Sequence, residues 1–334
     1  MRRTTSFRYI MPFVGCVLLY VMTLAMSSSA YADRIYTIGE TQITSHPALD
    51  ADQRGFEAGL ADTGFQVGQN LIILRQDARG SFQRAYDIAR EFVDTKVDLI
   101  HTISTPSTLA ALQAGSRIPI VFSSVMDPVA SGIVKTPARF RSASETRATG
   151  VSDLWPVSFQ MQLYQRIYPE AKEWGVLYNP SELNSVTYVR RLRGVAEQLG
   201  ITLVEATVDR ASDVPKAADA FLGKVRAILV PGDNTVTENL SELIEFAEQH
   251  KIPVFAGDID SVQVGAAAAY GMDYFWVGYV AGRKAGLILK GISPADIPWG
   301  PVAQFSFVIN MSAARRQGLN ISPAFLKIAD KVIE

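Results

Sequence analysis

Cysteine is all but missing from this chain. The single one, Cys16, lies inside an N-terminal apolar stretch. A disulfide framework is therefore excluded, and so is a thiolate metal site. Histidine is nearly as scarce: His46, His101 and His250 are far apart and fit no ligand spacing. No metal and no cofactor is expected. There is no G-x-S-x-G elbow, which weighs against the leading enzyme alternative, a Ser/His/Asp hydrolase with His101 or His46 as base. No G-x-G-x-x-G and no P-loop is present, so dinucleotide and nucleoside-triphosphate chemistry lack support. A basic excess is also lacking, which excludes the usual nucleic-acid footprint.

The N-terminus carries a pattern of its own. Arg2, Arg3 and Arg8 precede an apolar stretch from Tyr9 to Met26, and Ala30-Tyr31-Ala32 stands before Asp33. A basic start, an apolar centre and an A-x-A site describe a secretory signal peptide, here cleaved after Ala32. A periplasmic protein of a Gram-negative envelope is expected. The alternatives are an uncleaved anchor or a lipoprotein modified at Cys16, the latter poorly matched because apolar residues continue past it. Removing residues 1–32 leaves 302 residues with 29 basic and 33 acidic side chains, a net charge of −4. A chain of this size supports a cysteine-free core, most naturally as two domains. No other stretch is long and apolar enough to span a bilayer.

What is present is a rhythm. Six times a short apolar run stops in a cluster of Ser, Thr, Asn and Asp: at Glu40-Thr41-Gln42, Ser104-Thr105-Pro106, Ser123-Ser124, Asn179-Pro180-Ser181, Gly232-Asp233-Asn234 and Gly257-Asp258. Open parallel α/β sheets build their binding crevice in this way, at the carboxyl ends of strands. Helical periodicity predicts helices over 47–62, 82–95, 106–114, 157–168, 181–199, 211–222, 236–250 and 275–290, with β runs between them. An irregular stretch over 135–149 leads to a crossing near 150–153, and the small-residue run over 265–269 with Tyr270 to Asp273 reads as a second crossing. The fold class expected is α/β, with two doubly wound parallel-sheet lobes joined by a multi-strand hinge. The first lobe takes residues 33–150 plus about 270–300, the second 151–269 plus about 301–334.

Several segments together carry a family resemblance: His46-Pro47-Ala48-Leu49-Asp50, Lys96-Val97-Asp98-Leu99-Ile100, Pro119 to Ser123 with Asp127-Pro128-Val129, and Gly150-Val151-Ser152-Asp153. To these are added Val176 to Glu182, Asn184-Ser185, Asp233-Asn234-Thr235-Val236 and Asp258 to Val262. The chain resembles the periplasmic solute-binding proteins of an ABC importer family, the group that includes tryptophan/phenylalanine-type binders. The resemblance spans nearly all of the chain after residue 32. It implies a type I periplasmic-binding fold closing over a small-molecule solute, a membrane permease as partner, a monomer, and no covalent chemistry.

The clusters assign a site for a zwitterionic amino acid. Ser104 and Thr105, ahead of a helix, suit a carboxylate, as do Ser123 and Ser124 on the neighbouring strand. Helix capping is the plainer role for the first pair. Asp233, beside Asn234, and Asp258 are candidates for the ammonium, since a buried carboxylate needs a partner; as turn or cap residues they would need none. Asn184 and Ser185 are placed to reach across on closure. Tyr178, Tyr270, Trp155 and Phe122 are the aromatic candidates for a ligand ring. Thr41, Gln42 and His46 are expected at the cleft entrance. Sensing for a membrane receptor, and sugar binding on the same fold, are the other readings. The clusters contain no Arg, which disfavours a sugar.

Overall fold

The computed structural model describes residues 34–115, 117–134, 147–302 and 304–334. The signal-peptide pattern and most of the 135–149 stretch lie outside these residues. The strands are β1 (Tyr36–Gln42), β2 (Leu71–Asp77), β3 (Leu99–Ile103), β4 (Ile120–Val125), β5 (Ala148–Ser152), β6 (Glu173–Tyr178), β7 (Thr202–Thr207), β8 (Ala227–Val230), β9 (Val254–Ala256), β10 (Ala268–Met272), β11 (Gly300–Pro301), β12 (Phe305–Asn310) and β13 (Lys331–Ile333). The helices are α1 (Pro47–Asp62), α2 (Phe82–Thr95), α3 (Thr105–Gln113), α4 (Val157–Ile167), α5 (Leu183–Leu199), α6 (Val214–Ala218), α7 (Asn234–Glu238), α8 (Leu240–His250), α9 (Ser261–Val264), α10 (Tyr274–Leu289), α11 (Met311–Arg316) and α12 (Pro323–Ile328).

Two sheets form. One runs β11-β5-β4-β3-β1-β2 and is parallel throughout. The other runs β13-β12-β10-β9-β8-β6-β7, with only the β10–β12 pair antiparallel. The chain passes between the sheets three times: after β5, after β10, and between β11 and β12. This is an α/β protein of the type I periplasmic-binding fold. Because the strands are parallel, their polar carboxyl ends gather on one side of each sheet, and those two sides face each other.

Local chemistry accounts for the elements. In α2 the buried residues Ala85, Ile88, Ala89 and Phe92 lie on one face; Ser81 caps it by accepting the Arg84 N–H at 3.2 Å, and Lys96 ends it at φ 58°. The central strands β3 and β4 are buried along their whole length, as parallel strands covered on both faces are. In the second lobe Tyr164 on α4 donates its hydroxyl to the Ala256 carbonyl at 2.6 Å, and Gln160 donates to the carbonyls of Gly257 and Tyr270. One helix thus ties down the end of β9 and the middle of β10.

The structure differs from the periodicity in five places. Strand β1 continues through Glu40, Thr41 and Gln42, so that cluster belongs to the strand; Glu40 is 1% exposed and is held by Arg75 and His101. Strand β2, an edge strand of mixed burial, gave no clear period. The run over 268–272 is a strand, β10, in which Gly271 is needed because a side chain there would overlap the Gly257 carbonyl. Over 211–222 the predicted helix breaks into short turns around α6, which carries Pro215. Over 236–250 it breaks at Asn239, between α7 and α8.

Helices α1 and α10 meet backbone to backbone. A Cβ on Gly55 would overlap the Phe275 carbonyl, one on Gly59 the Tyr279 carbonyl, one on Gly278 the Asp52 carbonyl and one on Gly282 the Phe56 carbonyl. Overpacking of a tight core ordinarily costs ~1–3 kcal/mol, and here only backbone is available to move. Gly278→Ala is expected to lower the urea midpoint by the upper end of that range; an unchanged midpoint would show that the helices separate freely.

Candidate functional site

Six strand ends, those of β3, β4, β5, β8, β9 and β10, surround one cavity between the two sheets. From the first lobe come His46, Ala48 and Leu49 at the start of α1, Ser104 and Thr105 after β3, and Ser124 and Met126 at β4. The second lobe contributes Asn184 from α5, Gly232, Asp233 and Asn234 after β8, Thr237, and Asp258 after β9. The crossings supply Asp153, Trp155 and Tyr274.

The crossings are locked to each other. Trp155 donates its indole N–H to the Tyr274 hydroxyl at 3.2 Å, and Tyr274 donates to Asp153 Oδ2 at 2.6 Å. The Trp155 ring sits edge to face with Tyr188, centroids 5.5 Å apart, and occupies the space a side chain on Gly257 would need. Trp155 is thus a rigid aromatic wall. Leu49 and Met126 add apolar lining. Burial lifts the Asp153 carboxyl to about 6, against the opposing pull of the Tyr274 hydrogen bond.

Polar groups at the cavity are of two kinds. The first are committed. Glu182 accepts from the backbone N–H groups of Asn234 and Thr235, from the Asn184 and Asn234 amides and from the Thr235 hydroxyl. Asp233 accepts the N–H groups of Asn179 and Val236, and burial beside Glu182 pushes its carboxyl up to about 8. Asp258 accepts the N–H and hydroxyl of Ser261.

The second kind has no partner. Among the described residues, four buried polar atoms on cavity-lining side chains make no hydrogen bond: His46 Nδ1, Thr105 Oγ1, Asp153 Oδ1 and Asn184 Oδ1. Buried polar groups without partners cost stability, so four around one cavity mark a place where something else supplies them. Three are acceptors. The Asn184 amide nitrogen is already spent on Glu182 and the Gly232 carbonyl, leaving its oxygen. The Asn234 amide nitrogen faces Glu182, so its oxygen takes a proton from His46 Nε2 at 3.4 Å and Nδ1 is left bare. Burial holds the His46 imidazole below its ordinary value and therefore neutral. On the donor side, α3 begins at the cavity with Ser104 at φ 91°, and its first-turn N–H groups have no intrahelical acceptor.

Of the residues singled out in the sequence, His46, Ser104, Thr105, Ser124, Trp155, Asn184, Asp233, Asn234 and Asp258 come together at the cavity. Ser123 lies one residue behind, bonded to His101 and Asp52. Ser185 is buried beside Asn184 and bonds the Asp233 carboxyl. Thr41 and Gln42 are buried in β1 and do not line the cavity; Gln42 donates to Asp50. Tyr178 bonds Glu205 and Arg193 on the far side of its sheet end, and Tyr270 packs between Phe159 and Phe305. Phe122 is buried in the first-lobe core. The sequence reading missed Tyr274 and gave Asp153 no role. Asp153 carries the same signal as the others, a polar residue just past a strand end. Tyr274 carries none.

Comparison with known proteins places this geometry. A family model described as ABC transporter substrate binding protein matches residues 37–333. A tyrosine-binding protein of Clostridioides difficile (strain R20291) is 36% identical over 273 residues, 82% of this chain and 78% of that protein. A crystal structure of an ABC domain in complex with L-Trp from Streptococcus pneumonia superposes with a TM-score of 0.84 at 29% identity, covering 90% of this chain and all of that one. A ligand-free, open structure of a substrate-binding protein with adhesive properties from Clostridium difficile superposes at 0.65 with 34% identity, covering 90% and 99%.

The Trp155–Tyr274–Asp153 chain generates a prediction independent of any ligand. Tyr274→Phe strands one buried donor and one buried acceptor, at a cost of ~1–3 kcal/mol. A urea melt is expected to show that loss; a wild-type midpoint would mean the hydroxyl does not bind the crossings together.

Proposed function

Because the chain belongs to the ABC transporter substrate-binding protein family, we propose that it captures an aromatic α-amino acid between its lobes and delivers it to a membrane permease for import. The unpartnered atoms carry this reading. A primary ammonium brings three donors, and Asp153 Oδ1, Asn184 Oδ1 and His46 Nδ1 are three acceptors lacking one. The ligand carboxylate takes the Thr105 hydroxyl and the α3 N-terminus, where free N–H groups and the helix dipole favour an anion. Trp155, Leu49 and Met126 receive the aromatic ring, which stacks on the indole or meets its edge. Asp233 and Asp258 brace the loops behind the site, their oxygens already bonded within their own lobe. No covalent step is involved.

Closure is part of the reading. His46 meets Asn234 across the cleft, and Arg191 on α5 pairs with Asp127 beyond β4 at 2.7 Å. The chain superposes better on the L-Trp-bound relative than on the open, ligand-free one, although it is more identical to the latter. Cross-lobe contacts of this kind let a ligand favour the closed state over the open one. Export through the pattern in residues 1–32 fits the role. Among the described residues no helix is long and apolar enough to cross a membrane.

The experiment is a thermal-shift screen of refolded protein against L-tyrosine, L-tryptophan, L-phenylalanine, the remaining amino acids and common sugars. At one hundred times its dissociation constant a true ligand stabilises by ~2.7 kcal/mol. A shift confined to aromatic amino acids is expected; a shift with sugars alone would overturn the reading. Asp153→Asn is expected to weaken binding by ~2–5 kcal/mol, measured by calorimetry. Ligand binding needs the ionised Asp153, whose carboxyl in the free protein titrates at about 6. Affinity is therefore expected to be level above pH 7 and to fall about tenfold per unit well below pH 6. A flat profile from pH 7 to pH 4.5 would remove Asp153 from the ammonium site.

A further inference from the structure

A buried chain of hydrogen bonds runs from the cavity wall through the first lobe to its surface. Ser124 lines the cavity and bonds Asp52 Oδ2. Asp52 Oδ1 meets Ser123 Oγ at 2.9 Å, and Ser123 Oγ meets His101 Nε2 at 2.9 Å. His101 Nδ1 lies 3.0 Å from Glu40 Oε2, and Arg75 donates to Glu40 Oε1 at 2.8 Å. Asp52, His101 and Ser123 are each 0% exposed, and the Phe56 ring stacks on the imidazole at 3.5 Å.

The protons in this chain can be counted. Glu40, paired with a guanidinium, is ionised and only accepts, so His101 Nδ1 carries a proton. Three contacts remain: His101–Ser123, Ser123–Asp52 and Asp52–Ser124. The two serines bring one proton each. The third contact needs one more, on either His101 Nε2 or Asp52. Placing it on His101 buries an imidazolium and a second carboxylate with no exposed partner; placing it on Asp52 leaves both neutral, which burial favours. The chain then points one way, from Asp52 to Ser123 to His101 to Glu40.

We propose that Asp52 is held as the neutral acid, and that it acts as a positioning residue which takes the Ser124 proton and leaves that hydroxyl as a hydrogen-bond acceptor at the cavity. With the three ammonium donors met by Asp153, Asn184 and His46, Ser124 then receives the side-chain donor of the ligand, an indole N–H or a phenol O–H, rather than holding its carboxylate. The Ser124 backbone stands at φ 54°, in the left-handed region. The ionisable groups around Asp52 agree with the assignment. Glu40 on β1 and Asp153 beyond β5 are both acidic, Asp50 and Glu57 share its helix, the Arg75 charge is already met by Glu40 and Glu57, and α10 presents only the backbone at Gly278. Burial lifts the Asp52 carboxyl to about 8 and holds the His101 imidazole below its ordinary value.

Two measurements without ligand decide the protonation. Nitrogen-15 spectra of the wild-type imidazoles at pH 7 are expected to show His101 protonated on Nδ1 and bare on Nε2; an imidazolium would overturn the proposal. Asp52→Asn reproduces the donor and acceptor of the acid. Because the folded-state value is raised above that of the unfolded chain, the Asp52 contribution to stability is whole below pH 4 and is lost as pH rises through about 8. The melting temperature of Asp52→Asn relative to wild type is therefore expected to rise from pH 4.5 to pH 8; a relative fall means an ionised Asp52. The role at the cavity rests on the amino-acid reading above and is read with L-tryptophan and L-tyrosine. Asp52→Asn is expected to keep the affinity that Asp52→Leu loses by about tenfold, roughly one hydrogen bond. Equal loss in both would overturn the positioning role. If neither amino acid binds the wild type, the functional reading fails while the spectra and the pH slope still judge the proton.

Discussion

The contact of α1 with α10, made through glycine on both sides, is the constraint from which the site follows. It brings Asp52 in α1 against the backbone of α10 at Gly278 and fixes the start of each helix. Those starts carry His46, Ala48 and Leu49 on one side and Tyr274 on the other, all at the cavity. Helix α10 follows β10 directly, so the same contact anchors a crossing from the second lobe onto the first. A side chain at any of the four glycines would have to displace backbone rather than a neighbouring rotamer.

From that anchor the hinge becomes part of the cavity wall. Tyr274 joins Asp153 and Trp155, which lie on the other major crossing, and Gly257 leaves room for the indole. The residues that set the geometry between the lobes are thus also residues that line the cavity. Rigid placement of Trp155 reduces the entropy lost when a ring packs on it. The carboxylates divide by function: Glu182, Asp233 and Asp258 hold loops together with their oxygens, and Asp153 keeps one oxygen free.

Much of this was legible in the sequence. Polar clusters after apolar runs located the cavity at strand ends, and six of the residues picked on that basis line it. The periodicity of α2 and the buried runs of β3 and β4 were plain because a single rule, burial of one face or of both, governs them. Elements answering to local geometry were not. Gly271 in β10 is small because the Gly257–Asp258 backbone passes against it, and that demand comes from residues on another strand end. Strand β1 hides Glu40 in its interior, where a lone acid would be prohibitive; only the partners Arg75 and His101, 35 and 61 residues away, make it tolerable.

The sequence by itself determined the class of fold, the family and the kind of chemistry available: hydroxyls, amides and carboxylates, with no cysteine beyond Cys16 and no histidine cluster. These follow from pattern and composition, which are local or additive. Only the tertiary structure decided which polar atoms are satisfied. Whether a buried oxygen is spent depends on donors that arrive from other strands, and no spacing along the chain reports them. That accounting separates Asp153 from Asp233 and Asp258, sets Tyr178 and Tyr270 apart from the cavity, and gives Ser124 its direction.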